Sequence, residues 1–173
     1  MGYIPLRFPS APDLTYWGLV DTGAQVCVVS AGLANYLGLL APDLSNVTAT
    51  PFTVKGYNDV TTYMPALTTT MRLGSHGGPE RLINVQMCVF SSNEYKILIG
   101  SDLLDKLQYI IDSRRSTLRL VHGDARFRLP IVKKEYVEKS RSWSEYHAAV
   151  PEGHVSNQEV RVEGVQIAEM LED

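Results

Sequence analysis

The chain has 173 residues, the length of one ordinary domain with a short appendage. Its 45% hydrophobic and 20% charged residues are values of a globular protein that buries a core, which excludes collagen-like and wholly disordered chains. The formal net charge of −3 argues against a domain whose main task is to bind nucleic acid, because such domains are strongly basic. We therefore do not expect a nucleic-acid partner.

Cysteine usage and the chain start bear on the cellular setting. Cys27 and Cys88 are too few for a disulfide framework, and neither lies in a spacing typical of zinc sites. The first 13 residues contain three prolines and no apolar core of a signal peptide. We expect an intracellular, cytoplasmic protein with no membrane partner.

Residues 1–131 have the pattern of a β-rich domain. Short apolar runs separated by turn residues predict strands at 16–20, 25–30, 50–54, 60–64, 68–73, 82–90, 95–99, 109–111, 117–121 and 125–131. Two short helices are predicted, the first at 31–40 with Ser30 as its N-cap. The second covers 101–108, with Ser101 placed to cap its first turn.

The charge balance changes near Pro130. Residues 1–132 hold 11 basic and 10 acidic residues, whereas 133–173 hold 5 basic and 9 acidic ones. Residues 133–147 have the pattern of one charged helix, and the remainder has mixed periodicity. The sequence therefore predicts a domain over 1–131 and a charged C-terminal extension over 132–173 that is partly helical or disordered.

One carboxylate stands between two apolar runs. Asp21 follows the run 16–20 and precedes 26–29, and an acid in this position is costly unless it has a use. Thr22 offers a hydroxyl for bonds across a tight turn, and Gly23 permits a close approach of another backbone. The segment therefore predicts a carboxylate that is held on a rigid loop.

Two motifs together carry a family resemblance. Asp21-Thr22-Gly23-Ala24, followed about 75 residues later by Ile-Leu-Ile-Gly-Ser-Asp-Leu-Leu at 97–104, resembles the retropepsins, the single-lobed aspartic proteases of retroviruses and retrotransposons. Ile111-Asp112 together with Leu118-Arg119-Leu120 resembles the strand pair that follows in Gypsy-type elements. The resemblance covers about 3–131 and implies an all-β fold, a closed acid-protease barrel formed by a single lobe with one or two short helices.

The resemblance also implies a mechanism and a partner. No second Asp-Thr/Ser-Gly triplet occurs, so the two acids must come from two chains of a homodimer. Asp21, Thr22 and Gly23 would form the catalytic motif, and Ala24 and Gln25 would hold the substrate backbone. The implied activity is aspartic endopeptidase cleavage of extended peptide segments in a retroelement polyprotein, in the cytoplasm or a virus-like particle, with no metal or cofactor.

The resemblance places a flap over the substrate at residues 53–64. Its tip, Lys55, Gly56, Tyr57, Asn58 and Asp59, has the composition of a tight mobile turn and would complete the substrate-binding site. An ordinary surface hairpin is the alternative.

Two departures from the viral enzymes concern Gln25, where many carry an acid, and Ser101, where they often carry Arg. The ion pair usual between these positions is absent from both ends. The further residues after 131 also depart from the viral pattern.

Two other functions remain open at this stage. The extension at 132–173 favours a domesticated retropepsin-like module that dimerises or binds peptides without cutting them. Five arginines concentrated at 114–128 are explained by a solvated hairpin, with an RNA-contacting or acidic-partner patch as the alternative. Asp102 is expected to support the start of the second helix, because carboxylates are stabilised at helix N-termini.

Overall fold

The computed structural model describes residues 2–54, 60–121 and 127–150. Within these residues the chain forms ten strands and four short helices. In chain order they are β1 (Tyr3–Phe8), β2 (Ala11–Val20), β3 (Cys27–Ser30), α1 (Ala31–Tyr36), β4 (Val47–Val54), β5 (Val60–Leu73), β6 (Arg81–Phe90), β7 (Ile97–Ile99), α2 (Ser101–Leu107), β8 (Tyr109–Asp112), β9 (Thr117–Leu120), β10 (Arg128–Pro130), α3 (Lys134–Glu138) and α4 (Arg141–Ala149).

Six strands form a closed barrel. The main sheet has the order β1-β2-β7-β3-β6-β5-β4, and β1 also pairs with β5, which joins the two ends of the six-stranded ring. Strand β4 lies outside the ring, hydrogen-bonded to β5. The predicted fold class, a mostly β protein with a closed barrel and a few short helices, is confirmed.

Alternation of side chains along the strands fills the barrel. In β6, Ile83, Val85 and Met87 are buried, whereas Leu82, Asn84 and Gln86 point outward. This period of two is what a strand with one face on a core requires.

A second sheet covers one side of the barrel. Its order is β10-β9-β8, all antiparallel. Leu118, Leu120 and Leu129 on its inner face are buried with the main core, and β8 is one of its two edge strands among the described residues.

Residues beyond the barrel contact it directly. Val132 pairs with Tyr3 through two backbone hydrogen bonds of 2.8 and 2.9 Å. The single helix predicted over 133–147 is instead two helices, α3 and α4, because α3 ends at its C-cap Lys139 and Ser140 caps α4 by accepting a hydrogen bond from the Trp143 amide. Val137 and Tyr146 of these helices are buried.

Two further details of the predicted elements need correction. Helix α1 ends at Tyr36 rather than at residue 40, because Gly38 adopts a φ of +64° and its amide bonds back to the Asn35 carbonyl. Helix α2 has Gly100, not Ser101, as its N-cap residue, so the N-cap position offers no side chain to the first turn. The predicted cap by Ser30 on α1 is confirmed.

Candidate functional site

The Asp21 loop joins two strands that are held apart by a third. Strand β7 pairs in parallel with β2, with Val20 opposite Ile99, and antiparallel with β3, with Val28 opposite Leu98. The loop at 21–26 therefore starts and ends on opposite sides of β7. A short strand inserted in this way fixes both ends of the loop in one sheet.

Backbone hydrogen bonds fix Asp21 itself. Its amide donates to the Ile99 carbonyl at 3.0 Å, which extends the β2–β7 ladder by one residue. Its carbonyl accepts from the Ala24 amide at 3.1 Å, and its Oδ1 accepts from the Gly23 amide at 3.0 Å. The carboxylate is half-buried, so it is oriented by the turn and still reaches solvent.

The neighbouring predicted site residues line the same turn. Thr22, Gly23 and Gln25 are exposed, and Ala24 is half-buried. The Ala24 carbonyl accepts a hydrogen bond of 2.8 Å from the Ser101 amide, which ties the loop to the start of α2.

The structure brings residues 21–25 together at one end of β2. The predicted flap tip, residues 55–59, lies outside the described residues.

Asp102 holds the C-terminal end of the Asp21 loop through hydrogen bonds. The sequence predicted only that this residue supports the start of the second helix. Its carboxylate accepts hydrogen bonds from the Leu103 amide at 2.8 Å and from the Cys27 amide at 3.3 Å. It also accepts from the Cys27 Sγ at 3.3 Å. The sequence feature that could have indicated this role is an acid two residues after the glycine that follows a buried strand.

Gly100 makes this arrangement possible. A Cβ at this position would lie 2.4 Å from the Val26 carbonyl oxygen, closer than real side chains come to backbone. Only glycine allows the end of β7 to pass so close to the loop.

Cys27 belongs to the support of the loop rather than to its chemistry. The side chain is fully buried, and burial raises the pKa of its thiol to about 12, with the nearby Asp102 carboxylate adding to the rise. A thiol of this kind is a poor nucleophile near neutral pH. Burial raises the pKa of the Cys88 thiol as well.

The described residues form at least two cavities. One, of about 520 Å³, lies between Tyr3, Leu19, the segment 92–97 and the C-terminal helices. Another, of about 380 Å³, lies on the outer face of β8–β10 and is lined by Arg114, Arg119 and Arg128 together with Asp112. Within the described ranges, no group of three His, Cys, Asp or Glu side chains is placed to hold a metal ion.

Solved structures share this architecture. The retroviral protease-like domain of Ddi1 from Leishmania major superposes with a TM-score of 0.53 at 20% identity, over 78% of this chain and 92% of that domain. The fold is that of the retropepsin-like proteases. The resemblance found in the two motifs is thereby confirmed at the level of the fold.

A second solved structure, a retropepsin-like aspartic protease from Rickettsia conorii, aligns with a TM-score of 0.38 and 22% identity, over 64% of this chain and 76% of that protein. A scan against protein-family models and a search of curated proteins found no match. In the part of this retropepsin-like chain that the structure describes, no helix is long and apolar enough to cross a bilayer.

Proposed function

We propose that the chain is an aspartic endopeptidase of the retropepsin type that acts as a homodimer on extended peptide segments. The observation that carries the proposal is the Asp21 carboxylate, oriented by the Gly23 amide on a loop that β7 fixes at both ends. The retropepsin-like barrel supports it. Retroelement polyproteins are the substrate class that the two sequence motifs imply.

The chemistry explains why two copies are needed. Two carboxylates that share one proton cannot both ionise, so one acts as a base and the other as an acid. The ionised Asp21 takes a proton from water as the water oxygen bonds to the peptide carbonyl carbon, and the protonated Asp21 of the second copy donates to the carbonyl oxygen. Collapse of the gem-diol breaks the C–N bond, and the amine nitrogen leaves with a proton.

The open edge of the second sheet is a candidate dimer surface. Strand β8 has no neighbour on one side among the described residues, and it carries Ile110 and Ile111 with 42% and 39% of their surface exposed. Pairing of β8 with its twofold mate satisfies the free backbone groups of the edge and covers both isoleucines.

The remaining predicted site residues receive roles in this proposal. Thr22 bonds across the twofold axis to the partner loop, and Gly23, Ala24 and Gln25 hold the substrate backbone. Lys55, Gly56, Tyr57, Asn58 and Asp59 form the tip of the flap that closes over the peptide.

The test compares Asp21→Asn with wild type by cleavage of a peptide library between pH 4 and 7, with sedimentation on the same samples. The variant keeps the size and hydrogen bonding of the side chain but loses the titrating group, so cleavage should fall at least about a thousand-fold while dimerisation persists. Asp13→Asn, an acid with an 85% exposed side chain, is the matched control and should cleave normally.

An unchanged cleavage rate in Asp21→Asn would sink the proposal. A stable wild-type dimer that binds peptides and cleaves none of them would identify the chain as a retropepsin-like dimerisation or peptide-binding module instead.

A further inference from the structure

The cavity of about 520 Å³ is walled on one side by helices that lie outside the barrel. The barrel contributes Tyr3, Leu19 and Ile97, and the helices contribute Lys134 from α3 and Trp143 and His147 from α4. A volume of this size accommodates a large side chain with part of its backbone.

The helical wall is fixed in place by buried hydrogen bonds. The Tyr95 hydroxyl lies 2.8 Å from the Ser142 hydroxyl of α4 and accepts a hydrogen bond of 3.0 Å from the Trp17 amide of β2. The Tyr146 hydroxyl donates to the Asn93 carbonyl at 2.8 Å. Because these contacts are satisfied without a ligand, the cavity is preformed.

Leu19 connects the lining of the cavity to the Asp21 loop, although Asp21 itself is not a lining residue. Leu19 precedes Asp21 by two residues in an extended segment, so the two side chains leave the same face of the sheet about 7 Å apart. Tyr3 is opposite Leu19 in the β1–β2 register and shares that face. A peptide held at Asp21 therefore lies within side-chain reach of the cavity.

The polar groups around the cavity are mostly donors. Lys96 and Lys134 bring two ammonium groups, whereas Glu94 is the one carboxylate in the lining, 3.9 Å from the Lys96 Nζ. Lys134 lies 3.9 Å from Glu138 on its own helix, too far for a direct hydrogen bond.

We propose that this cavity is a substrate pocket that accepts an acidic side chain, glutamate above all, from the peptide bound at Asp21. The methylene groups of the glutamate pack on Leu19 and Trp143, and its carboxylate accepts hydrogen bonds from the Lys96 and Lys134 ammonium groups. Helices α3 and α4 thus determine specificity. The inference rests on the proposed peptidase function for its substrate.

The first experiment measures kcat/KM of wild type for peptides that differ only in having Glu, Gln or Lys at one position near the scissile bond. At one position Glu should exceed Gln by about ten-fold, and Lys should be the poorest. Lys134→Glu should abolish or reverse this order. Lys139→Glu, an exposed lysine of the same region outside the cavity lining, should preserve it.

A binding measurement separates failure of the pocket from failure of the peptidase. Asp21→Asn is titrated with the same peptides while Trp143 fluorescence is recorded, with Trp143→Phe identifying the signal. Glu peptides should bind about ten-fold more tightly than Gln peptides, and adding Lys134→Glu should remove the difference.

Each outcome decides one of the two ideas. Cleavage without Glu preference overturns the pocket and leaves the peptidase intact. Selective binding of Glu peptides without wild-type cleavage overturns the peptidase and supports the pocket. Neither cleavage nor selective binding overturns both.

Discussion

The aspartates of the two sequence motifs have different environments and different uses. Among the described residues, the Asp21 carboxylate accepts one hydrogen bond, from the Gly23 amide, which leaves most of its acceptor capacity available. The Asp102 carboxylate instead accepts from Leu103 and from the amide and thiol of Cys27. The first arrangement leaves a carboxylate available to react, and the second consumes it in holding β3 against α2.

Asp102→Ala should therefore destabilise the protein without removing the reactive acid. The change leaves the Cys27 and Leu103 amides without their acceptor, at a cost of about 1–3 kcal/mol of unfolding free energy. Urea unfolding measures this cost. Asp105→Ala, an exposed acid on the same helix, should change the stability by less than about 0.5 kcal/mol. Equal stability of the two variants would contradict the role of Asp102 in holding β3 against α2.

At the scale of the elements, barrel closure brings like charges together. The β1–β5 pairing places Arg7 directly opposite Arg72, and Arg7 is buried. Glu80 forms ion pairs with both arginines. One carboxylate thus bridges the two guanidinium groups and offsets one of their two charges at the joint that closes the ring.

Glu80→Gln should weaken that joint. Breaking a buried pair leaves an uncompensated charge, and because Glu80 itself is partly exposed we expect a loss of about 2 kcal/mol rather than the larger value of a fully buried pair. Chemical denaturation gives the value. Glu138→Gln, whose partner Lys134 is 3.9 Å away on an exposed helix face, is the control and should be near neutral. If Glu80→Gln left the free energy of unfolding unchanged, the Glu80 ion pairs would not contribute to the closure of the ring by β1.

The sequence predicted most elements of the barrel because their apolar runs are long or regularly alternating. Strand β1 was missed, because Pro5 and Pro9 mark the segment as irregular although Pro5 fits within β1. Residues 95 and 96 lie outside β7, since Tyr95 contacts α4 instead. The Asp21 loop was predictable from its motif. The cavity was not, because its walls come from segments that are distant in the chain.

At the scale of the whole molecule, several weak acids are buried in their neutral forms. Burial raises the pKa of Tyr95 and of Tyr146 to about 12 each, and raises that of Tyr16 further. The Cys27 thiol behaves in the same way. Unfolding exposes these groups to water, where they titrate at ordinary values. Above pH 9 the folded chain therefore holds more protons than the unfolded chain.

The free energy of unfolding should consequently be constant up to about pH 9 and fall progressively toward pH 12. The sign follows from the raised pKa values, since the stabilisation is complete below the unfolded pKa and is lost as pH rises through the folded one. Urea unfolding at pH 8, 9.5 and 11 measures the decline. Tyr16→Phe keeps the ring and removes one titrating group, so its decline should be shallower from a similar starting stability. A flat profile to pH 11 would contradict the prediction.

The insertion of β7 between β2 and β3 also determines when the Asp21 loop can form during synthesis of the chain. The Asp21 amide donates to the Ile99 carbonyl, and the Cys27 amide donates to the Asp102 carboxylate. Each acceptor lies more than 70 residues later in the chain than its donor. At a ribosomal rate of roughly 5–20 residues per second, Asp21 is made several seconds before the segment that holds it. A nascent chain that has not reached Asp102 cannot assemble the acid loop. The topology thus delays any reactivity of Asp21 until most of the barrel has been translated.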